Sequence, residues 1–108
     1  MRVIDLTDAP STRQMLLRAE YVIASACHGE ESLLKFVTKT PYLTEKLRAC
    51  LRGWARKKKI LFMIYGEKFS EMDEVTQYLL DQFPKEAADP DLGQKNPFVT
   101  VVCFFISK

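Results

Sequence analysis

The stretch Leu43-Thr44-Glu45-Lys46-Leu47-Arg48-Ala49-Cys50-Leu51-Arg52-Gly53-Trp54-Ala55-Arg56 runs into Lys57-Lys58-Lys59, then Ile60-Leu61-Phe62-Met63-Ile64-Tyr65-Gly66-Glu67-Lys68-Phe69-Ser70. Its apolar residues Leu43, Leu47, Cys50, Leu51 and Trp54 recur at the three-and-four spacing of one helix face. At about 100° per residue, Arg48, Arg52 and Arg56 fall opposite that face, four apart and in line. Ile60 to Ile64 is apolar without alternation, as in a strand covered on both sides. The spacing predicts a helix that packs inward through Trp54 and turns three arginines outward, followed by a buried strand.

Upstream, Val3 to Leu6 reads as a short strand. Ser11 with Gln14 three residues on forms a capping box that opens a helix reaching about Cys27. Met15, Leu16, Ala19, Val22, Ile23 and Ala26 mark its core face, and Gly29 ends it. Leu17, Tyr21 and Ala24 make a second, smaller apolar stripe roughly opposite. Leu33 to Thr38 is the second strand, and Pro41 separates it from the central helix. Downstream, Ser70 with Asp73 three residues on opens a further helix. Met72, Val75, Leu79 and Phe83 are read as its inward face, and Pro84 as its end. A polar loop over Lys85–Pro97 leads to the longest strand, Phe98 to Ile106. Strands and helices alternate throughout, the pattern of an α/β or α+β fold with a largely parallel sheet.

At 108 residues, with 47% apolar and 28% charged content, the chain reads as one globular domain, residues 1–108. The formal net charge of +2 does not by itself imply a nucleic-acid partner. The longest apolar run is about half what a membrane helix needs, so no membrane partner is expected. Met1-Arg2-Val3-Ile4 is followed at once by Asp5, which is not a signal-peptide pattern. Three widely spaced cysteines, Cys27, Cys50 and Cys103, read as a reduced, cytoplasmic chain without a disulfide framework or zinc site.

Chemistry is sparse. His28, the only histidine, sits beside Gly29 at a predicted helix end. The four glycines are scattered and form no phosphate-binding loop, so no cofactor is expected. Asp5 and Asp8, at the end of the first strand, are the candidate catalytic carboxylates. Asp89 and Asp91 could help bridge a divalent cation, although Asp89-Pro90-Asp91-Leu92-Gly93 is also good turn chemistry. The basic residues form the clearest pattern. Lys46, Arg48, Arg52, Arg56, Lys57, Lys58 and Lys59 place seven positive charges in succession with no acidic residue between them. A stripe of this kind suits phosphate contact. It equally suits a helix C-terminus, which favours cations, or protection of the buried strand from aggregation.

Three segments together resemble the Smr (small MutS-related) domain family. That family opens with a strand ending in Asp-Leu-His-Gly, where this chain has Asp5-Leu6-Thr7-Asp8. Its second strand ends in a His-Gly-x-Gly loop, where this chain has Thr38-Lys39-Thr40-Pro41. Its second helix carries a Leu-Arg…Leu…Trp-like pattern, matched by Leu47-Arg48, Leu51 and Trp54. The resemblance implies an α/β (α+β two-layer) sandwich, βαβαβ(α)β, with a mixed four-stranded sheet and the helix after Ser70 inserted before the last strand. It also implies nucleic-acid binding and, in several members, endonuclease activity at the two histidine motifs. Threonine at 7 and 38 has no group titrating near neutral pH, so the family's chemistry is expected to be lost here. The binding residues it suggests are Lys39, Arg48, Arg52, Arg56, Lys57, Lys58 and Lys59, with DNA or RNA as partner. A protein-interaction or homodimer surface on Leu17, Tyr21 and Ala24 is the alternative. A metal-assisted nuclease using Asp5 and Asp8 is a further one, with no resident metal expected.

Overall fold

A computed structural model describes residues 1–106. The chain runs β1 (Arg2–Asp5), α1 (Thr12–Ser25), β2 (Leu33–Val37), α2 (Pro41–Arg56), β3 (Phe62–Tyr65), α3 (Glu74–Gln82) and β4 (Val99–Cys103). Each helix starts on a side chain that accepts from an otherwise unpaired backbone N–H. Ser11 accepts from Gln14 at 3.1 Å, Thr40 from Leu43 at 3.2 Å and Asp73 from Thr76 at 2.9 Å.

The start of α3 differs from the sequence expectation. Ser70 caps only a tight turn, and Asp73 is the helix cap because the Thr76 hydroxyl donates to Lys68 C=O at 3.1 Å and bonds Asp73 at 3.0 Å. The buried residues of α3 are therefore Thr76 and Leu79, with Phe83 half-buried. Met72, expected inward, is 91% exposed, and Val75 is exposed as well.

The sheet is mixed, in the order β1-β2-β4-β3. β1 and β2 are parallel, and β4 pairs antiparallel with both β2 and β3. Strand–helix alternation alone suggested a largely parallel sheet. The long excursion from Gly66 to Phe98 explains the difference, because it returns β4 in the opposite direction into the slot between β2 and β3. The architecture is an α+β sandwich. Helices α1 and α2 cover one face through Met15, Ala19, Ile23, Leu47 and Leu51 over Leu34, Phe36 and Val102. The excursion, with α3, covers the other through Phe69 and Leu79 over Leu33, Ile64, Val99, Val101 and Cys103. β4 is buried along its whole length, as its apolar sequence, broken only by Thr100, requires.

Two buried cations tie the excursion down. On the α3 face, Lys35 of β2 is 3% exposed and donates to Asp89 and Asp91, each at 2.6 Å. Burial alone would lower the lysine's pKa, but these hydrogen bonds outweigh it and hold the ammonium above its ordinary 10.5. Asp89 and Asp91 thus serve a lysine clamp, where the sequence left a metal open.

The second cation corrects a larger expectation. Arg48 does not face outward. It is 5% exposed and turned toward the sheet, with Nε on Thr100 Oγ1 at 3.1 Å. Nη1 and Nη2 donate to the Glu67 carboxylate at 3.0 and 2.8 Å, and Nη2 also reaches Val99 C=O at 2.9 Å. The guanidinium lies 4.1 Å from the centre of the Tyr65 ring. Beside it, Gly66 has no room for a side chain: a Cβ would fall on the Asn96 carbonyl oxygen and 2.9 Å from that of Val99.

Replacing Arg48 with Met would strand Thr100 and two backbone carbonyls, and should cost about 3 kcal/mol in urea unfolding. Exposed Arg56→Ala should stay within about 0.5 kcal/mol. The hydrogen bonds from Arg48 hold the Glu67 carboxyl below its ordinary 4.5, against a smaller opposing effect of burial. A carboxylate depressed in the folded state contributes its stability above that ordinary value and loses it as pH falls through the folded value. Stability measured across the acid range should therefore decline less steeply in Glu67→Gln than in the parent chain.

Candidate nucleic-acid interface

The strands β1, β2 and β3 all point the same way, so their C-terminal ends share one edge of the sheet. Leu6 N–H donates to Val37 C=O at 2.9 Å, which sets the loops after β1 and β2 side by side. Asp5, Thr7, Asp8, Thr38 and Lys39 gather at this end. Most of their polar atoms are already engaged. Asp5 Oδ1 accepts from the Thr7 hydroxyl at 2.6 Å and the Thr7 N–H at 2.9 Å, and these bonds hold its carboxyl below the ordinary 3.8. Asp8 is held below 3.8 by Arg18, 2.7 Å away. Buried Thr38 shares a hydrogen bond with Thr44 at 2.5 Å and also donates to Phe98 C=O at 3.2 Å. Only Lys39 is exposed and without a polar side-chain partner among the described residues.

Helix α2 begins at this end and runs back along the sheet for 16 residues, about 24 Å. Its C-terminus therefore lies at the far end, beside the end of α1, where the Cys27 thiol reaches Lys59 C=O at 3.5 Å. The basic residues expected to form one surface are divided by this geometry. Lys39 is at one end, and Arg48 is inside. Arg52, half-buried, is occupied by the Tyr65 hydroxyl at 2.8 Å and by Glu45 at 2.6 Å. Arg56, Lys57, Lys58 and Lys59 stay together, all exposed. Among the described residues, none of these four forms an ion pair.

The backbone presents this cluster in a fixed way. Lys58 N–H donates to Ala55 C=O at 3.0 Å and Lys59 N–H to Trp54 C=O at 3.1 Å, closing the helix by a left-handed turn. The left-handed residue is Lys58, at φ +60°, in a position that glycine ordinarily fills. Lys57 Nζ lies 5.6 Å from the centre of the half-buried Trp54 ring. The sequence pattern placed Trp54 wholly inward and so missed that its ring borders the cationic surface. The signal was present: Trp54 ends the apolar series one turn before the lysines.

The remaining candidates are placed as follows. Leu17, Tyr21 and Ala24 are all exposed, so the stripe on α1 is not covered by the long loop. Burial pushes the Cys27 and Cys50 thiols up and the Cys103 thiol to about 11, which suits none of them for nucleophilic work. Exposed His28 lies in the wide turn after α1. Among the described residues no helix is long and apolar enough to cross a membrane.

A lysine held at positive φ costs stability that glycine would not. Lys58→Gly should raise the urea midpoint by the equivalent of about 1 kcal/mol, and Lys57→Gly, at an ordinary helix-end conformation, should not. Comparison with family models, curated proteins and solved structures finds no match to this chain.

Proposed function

We propose that this chain is a divergent Smr-like domain that binds nucleic acid through the Arg56–Lys59 surface without cutting it. One observation carries the reading: four exposed cations sit together without ion-pair partners among the described residues, on a backbone turn that lysine enters only at a cost. Surface helices usually mix charge signs, because like charges repel at close range. Phosphate oxygens relieve that repulsion and release counterions as they bind. The Trp54 ring beside Lys57 adds an apolar border against which a base or sugar could rest.

The absence of cutting is inferred from the opposite end of the sheet. Thr7 and Thr38 stand where the family has histidines, and both hydroxyls are occupied within the chain. Asp5 and Asp8 are engaged by Thr7 and Arg18. Neither threonine can act as the titrating base that hydrolysis requires near neutral pH. Phosphate contact needs only cations and backbone donors.

Fluorescence anisotropy with single- and double-stranded DNA and RNA, titrated in salt, tests the binding. Replacing Lys57, Lys58 and Lys59 with glutamate together should weaken binding at least about tenfold and reduce the slope of log affinity against log salt by about 2 to 3. Lys39→Ala, at the far end, should change neither measurably. An affinity indifferent to the triple substitution would remove this surface from the function. Incubation of plasmid and RNA with magnesium or manganese should leave both intact, and cleavage abolished by Asp5→Asn would overturn the non-cutting half.

A further inference from the structure

β1 is an edge strand, and its outer side is unpaired among the described residues. The Leu6 N–H points toward β2, where it meets Val37 C=O. Along a strand the backbone groups alternate in direction, so those of Ile4 also face β2 and those of Val3 and Asp5 face away. The Asp5 carbonyl confirms this direction, because it accepts from Arg18 Nη2 at 3.1 Å on that side. Among the described residues Val3 is left with an unpaired N–H and an unpaired C=O on the outer edge, and its side chain is 52% exposed. Above this edge an open groove of about 610 Å³ runs between β1 and α1, bordered by Ile4, Arg18, Tyr21 and Val22. Tyr21 is 79% exposed and Leu17 50%.

From this arrangement we infer that β1 pairs antiparallel with β1 of a second copy, about a two-fold axis through Val3, joining the two sheets into one of eight strands. The register follows from the free groups. The N–H and C=O of Val3 bond reciprocally with those of Val3 in the second copy, and the Asp5 N–H meets the Met1 C=O. A displacement by one residue would offer Ile4, whose groups are already spent on β2. The same axis brings the exposed Leu17 and Tyr21 of the two α1 helices toward each other, and covers Val3 with its own counterpart. A self-complementary patch of this type is what a two-fold interface requires. Arg18, bound to the Asp5 carbonyl, limits the pairing there to the Asp5 N–H, and because the two-fold uses the β1 edge of both copies the contact closes as a dimer.

Sedimentation velocity between about 5 and 500 μM covers the range in which a short strand-edge contact associates. The parent chain should move from monomer toward twice that mass, and the Val3 amide should gain protection from exchange over the same range. Val3→Pro deletes the outward N–H without touching a β1–β2 bond, and Tyr21→Glu places charge on the groove. Each should sediment as a monomer with an unchanged circular dichroism spectrum. If Val3→Pro does not fold, Tyr21→Glu together with the Val3 exchange measurement decides. A parent chain that stays monomeric throughout overturns the inference and leaves the edge to a strand from a different protein. A dimer that persists in both variants, or one without protection at Val3, overturns it as well.

Discussion

Arg48 lies between α2 and the sheet with all five of its hydrogen bonds directed at segments on either side of the long excursion. Glu67 is at the start of that excursion, Pro97 and Val99 at its end, and Thr100 on the strand it delivers. Taking a guanidinium out of water costs several kcal/mol unless its donors are satisfied. Here Nε, Nη1 and Nη2 all have acceptors, and the Tyr65 ring takes the face of the group. Lys35 repeats the device on the opposite face, with Asp89 and Asp91 brought in from the middle of the same excursion. The sheet is thus clamped from both sides by cations whose partners belong to one long connection. Apolar packing alone would not fix where a connection of that length crosses the sheet, because hydrophobic contact is non-directional.

How much of this was legible in the sequence depended on the kind of signal. Apolar periodicity placed the inward face of α2 through Leu47 and Leu51, and the long apolar run before the C-terminus identified β4 as covered on two sides. The run Ile60–Ile64 did less well: β3 is the edge strand Phe62–Tyr65, mostly half-buried, with Leu61 exposed. Capping chemistry found the start of α1. Arg48 was misplaced because a helix wheel built on Leu43, Leu47, Cys50, Leu51 and Trp54 omits Thr44. Thr44 is buried, lies about 40° around the helix from Arg48, and rotates the true core face toward it. A charged residue is assigned outward by default because burial is costly, and nothing local in sequence shows that Glu67, Thr100 and two carbonyls converge on it. The same limit hid Lys35, whose acidic partners lie more than 50 positions away. The sheet order was beyond periodicity altogether, and only the resemblance to a known fold anticipated a mixed sheet.

The division of the basic residues changes what the surface can be. Read along the chain, the cations from Lys46 to Lys59 form one stripe. In space they separate into an exposed Lys46 beside the Tyr42 ring, the structural Arg48, an Arg52 engaged by Tyr65 and Glu45, and a cluster at the end of α2. This cluster sits at the end of the sheet remote from Asp5 and Thr38. Any phosphate held there would be distant from the loops after β1 and β2, so the two ends of the sheet would not act on it together.

The central position of β4 bears on how the chain is made. During synthesis β1, α1, β2, α2 and β3 all leave the ribosome before the strand that joins β2 to β3 exists. Until Val99–Cys103 emerges, β3 has no neighbour in the sheet, and the apolar side chains of Ile64, Leu33 and Phe69 have no strand to close over. The acceptors for Arg48 at Val99 and Thr100 arrive at the same moment. Completion of the sheet and satisfaction of its buried charge are therefore one event, and until then the nascent chain leaves apolar surface and a buried arginine uncovered.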